Sequence, residues 1–394
     1  MTTGEGFHSM KKYFIIIILS GASFCCAFAQ GNDTTLITAL LKNIAATQVM
    51  ADGKFYKGSF PSFRECAGVP HNYQPDNNIF FTAISAFSLR NMLPRFEGEN
   101  KRLAMQLIAN VQSTFPYYQN KKGSPFYNFW PTGQRILPHA YFINQLDKLL
   151  GSGEDADDAA MILMASGAND SICKLLKQRM LEVSNGESKK IKSTYKKYRE
   201  FSAYSTYLGH GMLPDFDLGV HCNILYFMLD RKMPLVKQDS ATIELISQII
   251  KNREYIKAPV YISPYYTRTP LLMYHIARLM GKFSIPELEI YKIQLVTDIQ
   301  EELNNAKNLM DRIILSTSLL RLGTKPPPID IAGITAFEKS GTDKFIFFQA
   351  RAAFWYPSTL KKIFLHWSYL CYYFYCPAYN KILWLEYLLE RNKQ

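Results

Sequence analysis

Long apolar runs are scarce in this chain of 394 residues. Two runs stand out, Tyr13 to Leu19 and Ile363 to Cys376, and both fall short of the roughly 20 apolar residues that a helix needs to cross a bilayer. The sequence therefore does not indicate a membrane-spanning protein. Because 48% of the residues are hydrophobic and no linker separates regions of different composition, we expect one large domain with a sizeable core.

Signatures of metal and nucleic-acid binding are missing as well. Seven cysteines are scattered without the spacing of a zinc site, and we expect those beyond the N-terminal segment to be buried small hydrophobic residues. The net charge is +12, but the one dense cluster, Lys189 to Lys197, is typical of a solvated surface and no nucleic-acid-binding motif accompanies it. We expect no metal, no organic cofactor and no nucleic-acid partner.

The N-terminal residues have the order of an export signal. The basic pair Lys11-Lys12 is followed by the apolar run Tyr13 to Leu19, and Ala27-Phe28-Ala29 has the small-x-small form of a cleavage site. This order predicts a signal peptide over 1–29 and a mature domain over 30–394. The mature protein would then lie in the periplasm or the cell envelope.

Two details of this segment leave alternatives open. Met10 stands directly before the signal, so it is an alternative start of the chain. Cys25 and Cys26 offer a lipidation site, but Ala22-Ser23-Phe24 lacks the small residue expected just before a lipidated cysteine. Cleavage after Ala29 is therefore the favoured prediction.

Helical periodicity dominates the rest of the chain, and the alternating patterns typical of strands are scarce. The sequence therefore predicts an all-α fold, with breaks where proline and glycine cluster. The predicted helices cover 34–50, 78–93, 101–115, 137–150, 156–167, 172–184, 218–230, 240–252, 268–281, 286–304, 308–322, 345–355, 360–375 and 379–390.

Amphipathic helices tend to alternate with helices that are apolar on nearly all sides. Outer helices that face water and inner helices that are fully buried would produce this alternation. Six inner helices correspond to a single (α/α)6 barrel, or toroid, of helical hairpins, and an open, irregular α-solenoid is the alternative. The inner helices are predicted at Ile79–Leu89, Ala159–Ser166, Leu218–Leu229, Leu271–Met280, Ile313–Leu322 and Ile382–Leu389.

Three of these inner helices open with aspartates. Parallel inner helices place their N-termini at one end of a barrel, so the acids would line one mouth above an apolar funnel, which is the usual form of a ligand pocket. The alternative is that each aspartate only caps its own helix. The residues expected at this mouth are Asp76, Asn77, Asn78, Asp155, Asp157, Asp158, Asp215, Asp217, His221 and Asn223.

The most acidic opening is Asp155-Ala156-Asp157-Asp158. Carboxylates this close cannot all ionise easily, so at least one should have a raised pKa and hold its proton near neutral pH. A proton held in this way can be donated to a substrate, which makes the turn a candidate general acid.

This turn resembles the D-x-D-D acid motif of class II terpenoid cyclases, which share an α/α-toroid fold with the protein prenyltransferases. The segments Tyr127–Pro131, Phe201–Gly209 and Asp217–Tyr226 are similar to those of exported toroid proteins related to squalene-hopene cyclases. The resemblance implies proton-initiated chemistry on an apolar, isoprenoid-like substrate, without a cofactor.

The resemblance also implies that Asp157 is the proton donor, with Asp155 and Asp158 tuning its pKa. Aromatic faces would stabilise the carbocations that follow. The sequence departs from the family in having Ala159 where a threonine usually follows the last aspartate, and in having only four tryptophans. The residues predicted to contact the substrate are Asp76, Phe129, Trp130, Asp217, His221, Asn223, Tyr265 and Tyr266.

Two other functions fit the same residues. A non-catalytic toroid of the cell envelope would bind a lipid or a peptide, whereas an (α/α)6 carbohydrate-active enzyme would use two carboxylates from different loops, such as Asp157 and Asp217. A closed apolar cavity beneath Asp157 would favour alkene protonation, and an open cleft would favour sugar chemistry. The run Ile363 to Cys376 is predicted to be a packed barrel helix, with peripheral membrane contact as the alternative.

Overall fold

A computed structural model describes residues 34–69, 71–120, 125–132, 154–209, 213–351, 358–365 and 367–393. The predicted signal peptide and the predicted helix at 137–150 lie outside these residues. The described chain is mostly helical, as the sequence predicts. The predicted helix at 286–304 divides into two, because residues 290 and 291 do not continue the helix.

The helices are α1 (34–47), α2 (Phe80–Met92), α3 (Gly98–Gln112), α4 (Ala156–Ser166), α5 (Asp170–Glu182), α6 (Leu218–Asp230), α7 (Lys237–Lys251), α8 (Glu254–Lys257), α9 (Pro259–Ile262), α10 (Thr269–Met280), α11 (Pro286–Glu289), α12 (Lys292–Asn305), α13 (Leu309–Arg321), α14 (Ile334–Lys339), α15 (Ser358–Phe364) and α16 (Pro377–Arg391). The strands are β1 (Ser62–Cys66), β2 (Gln74–Asp76), β3 (Phe348–Arg351) and β4 (Cys371–Tyr375).

Six helices are buried along nearly their whole length, and we call them the inner helices: α2, α4, α6, α10, α13 and α16. They are the six segments that the sequence predicts to be apolar on all sides. Each packs against the next in chain order, and α16 packs back against α2. Together they form the centre of the hydrophobic core.

Amphipathic helices cover the inner helices. In α3 the buried residues are Ala104, Leu107, Ile108 and Val111, the spacing of one apolar stripe on a helix. Helices α3, α5 and α7 pack against α2, α4 and α6 respectively, and α12 packs against α10 and α13. This arrangement follows the predicted alternation of amphipathic and fully apolar helices.

A small antiparallel sheet, in the strand order β2-β1-β4-β3, makes the all-α prediction wrong in this respect. The helices predicted at 345–355 and 360–375 are wrong for the same reason: the chain forms β3 in the first segment, and the short helix α15 followed by β4 in the second. The segment Cys371–Tyr375 is rich in aromatic residues, which favour strands. Its partner β1 lies far away in sequence, and its partner β3 is separated from it by α15, so local periodicity does not predict either pairing.

The sheet packs against the N-terminal end of α2. Phe348 of β3 stacks on Phe374 of β4, with ring centroids 4.6 Å apart, and its ring also lies 5.0 Å from the rings of Phe80 and Phe81. Strand β2 ends at Asp76, just before α2. The sheet therefore holds one of the three aspartate-led openings in place.

Candidate functional site

Asp155 is the N-cap residue of α4. Its Oδ1 accepts hydrogen bonds from the backbone N–H groups of Asp157, at 2.7 Å, and Asp158, at 3.4 Å. Capping therefore accounts for one carboxylate of the acidic turn. The carboxyls of Asp157 and Asp158 lie in the first turn of α4, and both are buried.

Asp157 is bound from two neighbouring segments. Its Oδ1 accepts from Nδ2 of Asn223 at 2.6 Å, and its Oδ2 accepts from the hydroxyl of Tyr266 at 2.5 Å. Burial raises the pKa of Asp157 to about 6, while these two donors and the charge of Arg278 act in the opposite direction. At neutral pH Asp157 is therefore mostly ionised.

Gly219 makes the contact with Tyr266 sterically feasible. A Cβ atom at this position of α6 would lie 2.3 Å from the Tyr266 ring. The absence of a side chain therefore lets the ring lie directly against the helix, in the position from which its hydroxyl reaches Asp157.

Asp158 differs from its two neighbours. Only 1% of its surface is exposed, and within the described residues neither carboxyl oxygen has a hydrogen-bond partner. Burial raises its pKa well above the ordinary value, and the charges of Asp155 and Asp157 raise it further. The pKa of Asp155 is also raised, by burial first and then by Asp157, although its two backbone hydrogen bonds oppose the shift.

On the side of Asp157 that faces the inside of the helical core, the neighbouring side chains are polar. Oδ1 of Asn223 accepts a hydrogen bond from Arg278, and Nδ1 of His275 lies 3.2 Å from the same oxygen. The Arg278 guanidinium also lies over the rings of Phe87, Tyr226 and Tyr274, which belong to three different inner helices. It therefore occupies the space between the inner helices.

A buried ion pair continues this network. Arg321 of α13 pairs with Glu386 of α16, and the hydroxyl of Tyr274 donates to Glu386 at 2.7 Å. The prediction of an apolar funnel beneath the acids is therefore wrong for these residues. Helix α10 is apolar by composition, and the sequence does not reveal that its His275 and Arg278 face Asn223 rather than solvent.

A second group of acids surrounds the start of α6. Asp217 is its N-cap residue and accepts from the N–H of Val220 at 3.1 Å, from the Ser263 hydroxyl at 2.6 Å and from the Tyr265 N–H at 2.9 Å. Burial raises the pKa of Asp217 to about 7. Asp217 lies close enough to Asp155 to raise its pKa, so α4 and α6 begin at the same end.

Asp215 belongs to the same group. Its carboxylate accepts from the hydroxyls of Ser193 at 3.2 Å and Tyr265 at 3.3 Å. The Tyr265 hydroxyl also lies 2.5 Å from that of Tyr207. Lys361 of α15 is buried near Asp215 and Asp217, and burial lowers its pKa.

Asp76 anchors the third opening. It pairs with Arg64 at 3.3 Å and accepts from Nε1 of Trp130 at 3.1 Å and from Nδ2 of Asn78 at 2.8 Å. Burial raises the pKa of Asp76, with Arg64 opposing the shift.

Tyr118 connects this opening to the acidic turn. Its hydroxyl donates to Oδ1 of Asn77 at 2.9 Å. Burial raises the pKa of Tyr118, and the charges of Asp76 and Asp158 contribute to the rise. The three aspartate-led openings therefore lie at one end of the inner helices, which we call the acid end.

The structure places the other predicted residues in two kinds of environment. Tyr265, Tyr266 and Trp130 each bind a carboxylate through their polar atom, so they fasten loops to the acids. His221 instead binds the carbonyl of Tyr204 at 2.8 Å through Nε2, and burial lowers its pKa to about 4. His221 is therefore a neutral core residue in this arrangement.

Sequence reasoning missed Tyr118, His275, Arg278 and Lys361. The available signal was a histidine and an arginine in the otherwise apolar helix α10, because a buried charge requires partners. Two predicted residues connect this missed network to the acidic turn: Asn223 through its hydrogen bonds, and Tyr266, which binds Asp157 and has its ring 4.3 Å from that of His275.

The cysteines and the surface complete the description. Five cysteines are buried, as predicted, and the structure shows that they are free: Cys66, Cys173, Cys222, Cys371 and Cys376. Within the described ranges, no group of three or more His, Cys, Asp or Glu side chains is arranged to hold a metal ion, and no helix is long and apolar enough to cross a membrane.

Comparisons with protein-family models, curated proteins and solved structures give no match.

Proposed function

We propose that the inner helices form an (α/α)6 toroid and that the acidic turn donates a proton to an apolar, isoprenoid-like alkene, as in class II terpenoid cyclases. Two features support the toroid: each inner helix packs against the next, and α16 packs back against α2. The D-x-D-D turn opens one of these helices, which is where the resemblance requires it.

The observation that carries the proposed chemistry is a buried carboxyl within the turn that has no hydrogen-bond partner among the described residues, that of Asp158. A buried carboxylate without partners is costly. Burial and the charges of Asp155 and Asp157 raise the pKa of Asp158, which favours a protonated form with a proton available for transfer. In the transfer the O–H bond breaks, the π electrons of the alkene form a C–H bond, and a carbocation and a carboxylate result.

Aromatic side chains near the turn would stabilise the carbocation through their faces. Tyr118 lies within electrostatic range of Asp158, and Phe129 packs edge-on against Trp130 with ring centroids 4.4 Å apart. The backbone of Phe129 is joined to the start of α2 by a hydrogen bond from the N–H of Ile79. These rings therefore belong to the same end of the molecule as the acids.

The surface near α15 supports contact with a membrane, from which an apolar substrate would be taken. Leu360, Ile363, Trp367 and Tyr369 are exposed by 41 to 67%. In the same segment Lys361 points inward, toward Asp215 and Asp217. Aromatic and aliphatic side chains of this kind favour the interfacial region of a bilayer. Export to the periplasm or cell envelope remains part of this proposal.

An assay with squalene and polyprenyl diphosphates tests the proposed function. We expect the wild-type protein to convert at least one of them, and we expect asparagine at 157 or 158 to reduce the rate. Asp170→Asn is the matched control, because Asp170 lies in the first turn of α5 but is exposed. Loss of turnover in this control would mean that the acidic turn has no special role.

Carbohydrate chemistry is the second candidate, and the polar residues beneath Asp157 favour it. Asn223, His275 and Arg278 fill the space below the turn, which would confine a substrate to the acid end. Asp157 and Asp217 would then act as acid and base. Cleavage of oligosaccharides by the wild type, lost in Asp217→Asn, would support this candidate.

The same two assays address the non-catalytic alternative. If the wild type converts neither isoprenoids nor oligosaccharides, a toroid that binds a lipid or a peptide becomes the favoured function. Binding of lipid vesicles or of peptides, measured by sedimentation, would then be the next experiment.

A further inference from the structure

We propose that Asp158, rather than Asp157, carries the transferable proton, and that Arg278 assigns it there through Asn223. This inference deepens the proposed function by naming the donor. It rests on the direction of the hydrogen bonds that run from Arg278 to the acidic turn. The order of residues in the motif does not contain this information.

The first step is the orientation of the Asn223 amide. Arg278 has only donors, so the Asn223 atom that it contacts must be the carbonyl oxygen Oδ1. The amide nitrogen Nδ2 then faces Asp157, at 2.6 Å from Oδ1 of that carboxyl. Because Nδ2 is a donor, Asp157 must accept at this oxygen.

His275 is consistent with the same direction. Its Nδ1 lies 3.1 Å from a guanidinium nitrogen of Arg278 and 3.2 Å from Oδ1 of Asn223, so in one tautomer it accepts from Arg278 and in the other it donates to that oxygen. Burial lowers the pKa of His275 well below its ordinary value, and Arg278 and Arg321 lower it further. Histidine is therefore neutral here and Arg278 is the fixed cation of the network.

The second oxygen of Asp157 also accepts. The Tyr266 hydroxyl lies 2.5 Å from Oδ2, and burial raises the pKa of Tyr266 well above its ordinary value, so the phenol keeps its proton. Asp157 thus has one donor on each oxygen and a nearby cation, and all three favour its ionised form.

Asp155 differs from Asp158 in having two donors: the backbone N–H groups at the start of α4 bind its Oδ1 and oppose the rise that burial and Asp157 give to its pKa. Asp158 has no such donors among the described residues. The charges of Asp155 and Asp157 act on it from its own turn, and Tyr118 lies within its electrostatic range. None of these groups supplies a positive charge or a hydrogen bond to Asp158, so we assign the proton of the turn to it.

The position of Asp158 also indicates where the alkene would bind. Asp158 lies close enough to Tyr118 for its charge to raise the pKa of that phenol, and the Tyr118 hydroxyl binds Asn77 just before α2. Asp157, in contrast, faces Asn223 and Tyr266 from α6 and the loop before α10. The reacting double bond is therefore expected near Tyr118, away from the polar residues beneath Asp157.

Infrared difference spectroscopy at neutral pH tests the assignment without requiring turnover. We expect Asp158→Asn to remove the carbonyl band of a protonated carboxyl, and Asp157→Asn to remove a carboxylate band instead. The reverse pattern would overturn the proposal. If both spectra agree with it but the wild type converts no substrate, the proton assignment stands and only the proposed function fails.

In an active preparation, the two variants should also differ in rate. Asp158→Asn should lower kcat at least about 100-fold, the usual contribution of a general acid. Asp157→Asn should lower it less, because an asparagine at this position still accepts from Asn223. Equal losses, or a larger loss in Asp157→Asn, would contradict the assignment of the donor.

Arg278 is a positioning residue in this proposal, so its test compares two substitutions. Arg278→Lys keeps a donor-only cation, and the band of protonated Asp158 should remain. Arg278→Gln allows the Asn223 amide to turn over and present oxygen to Asp157, which should then gain a proton. Adding Asp157→Asn to Arg278→Gln should remove the new band.

An unchanged band in all Arg278 variants would show that Arg278 only fills space. If the Arg278 variants do not fold, Asn223→Leu serves instead, since it removes the donor to Asp157 with little change in volume. In that variant the protonated-carboxyl signal should become sensitive to Asp157→Asn, and no such change would overturn the proposal.

Discussion

The two ends of the inner helices differ in how their buried charges are compensated. At the C-terminal ends, Arg90 donates to the carbonyl of Ala165, and Arg231 donates to those of Leu163 and Ala168. These carbonyl groups lie at or just after the C-terminal end of α4, where cations are favoured. We call this the arginine end.

At the acid end, the buried carboxyl groups do not all have a cation or a hydrogen-bond donor as a partner. Asp76 has Arg64 and Asp217 has three donors, but Asp158 has no partner among the described residues. A buried polar group without a partner lowers stability and therefore requires another explanation. The comparison supports the proposal that the acid end is the functional one.

The largest expected effect on stability is that of breaking a compensated buried ion pair, the pair of Arg321 and Glu386. Glu386→Gln leaves Arg321 buried without its carboxylate, and removal of one partner of a buried pair typically costs about 3 to 5 kcal/mol. We expect the free energy of unfolding, measured with urea, to fall by about that amount. Glu182→Gln, which breaks the more exposed pair of Glu182 with Arg179, is the control and should cost about 1 kcal/mol or less. Equal costs would contradict the comparison.

The next effect concerns pH. Burial raises the pKa of Asp157 to about 6 and that of Asp217 to about 7, from 3.8. Between about pH 4 and pH 7 the folded chain therefore holds protons that the unfolded chain has released, so these groups make the protein less stable as pH rises. For these two groups together we expect a loss on the order of 4 kcal/mol from pH 5 to pH 8.

Asp217→Asn should flatten this dependence, because the substituted side chain does not titrate. The measurement is the midpoint of urea unfolding at several pH values for both proteins. A stability that rises from pH 5 to pH 8 in the wild type would show that depressed carboxyl pKa values elsewhere outweigh the acid end.

The parts of the fold that depend on the hydrophobic pattern of one local segment could be predicted from the sequence. The six inner helices are apolar on all sides, and this composition has few outcomes other than a buried helix. The sheet was missed because its strands pair across most of the chain: Phe63 lies opposite Tyr375. The hydrophobic periodicity of a short segment does not reveal a contact with a distant part of the chain.

The candidate site could be predicted only in part, for a related reason. The acidic turn and Asn223 were identified from residue type and spacing. The role of each carboxyl depends on side-chain partners from other helices, such as Arg278 and Tyr266, and these contacts are set by packing. The prediction that the acids cover an apolar funnel failed because charged residues of α10 and α13 point inward.

A smaller effect is expected for the cap of α4. Asp155→Ala removes the acceptor of the N–H groups of Asp157 and Asp158, which typically costs about 1 kcal/mol. Removal of a negative charge near Asp157 opposes part of this loss. We expect a net decrease of about 0.5 to 1 kcal/mol in the free energy of unfolding, measured with urea. Asn169→Ala at the cap of α5 removes no charge and should therefore show the full cost of a lost cap.

The smallest effect on stability is expected for the residue with the largest proposed role, provided that the measurement is made at low pH. At about pH 4 Asp158 is protonated in the folded chain and partly protonated in the unfolded chain, so its replacement by a neutral amide of similar size in Asp158→Asn should change the free energy of unfolding by less than about 1 kcal/mol. As the pH rises, folding of the wild type must return a proton to Asp158, whereas the amide of the variant takes up none, so the variant should gain stability relative to the wild type by about 1.4 kcal/mol per pH unit. Urea unfolding of both proteins at pH 4, pH 5 and pH 7 measures this difference, and a difference that stays the same from pH 5 to pH 7 would show that Asp158 is ionised in the folded protein.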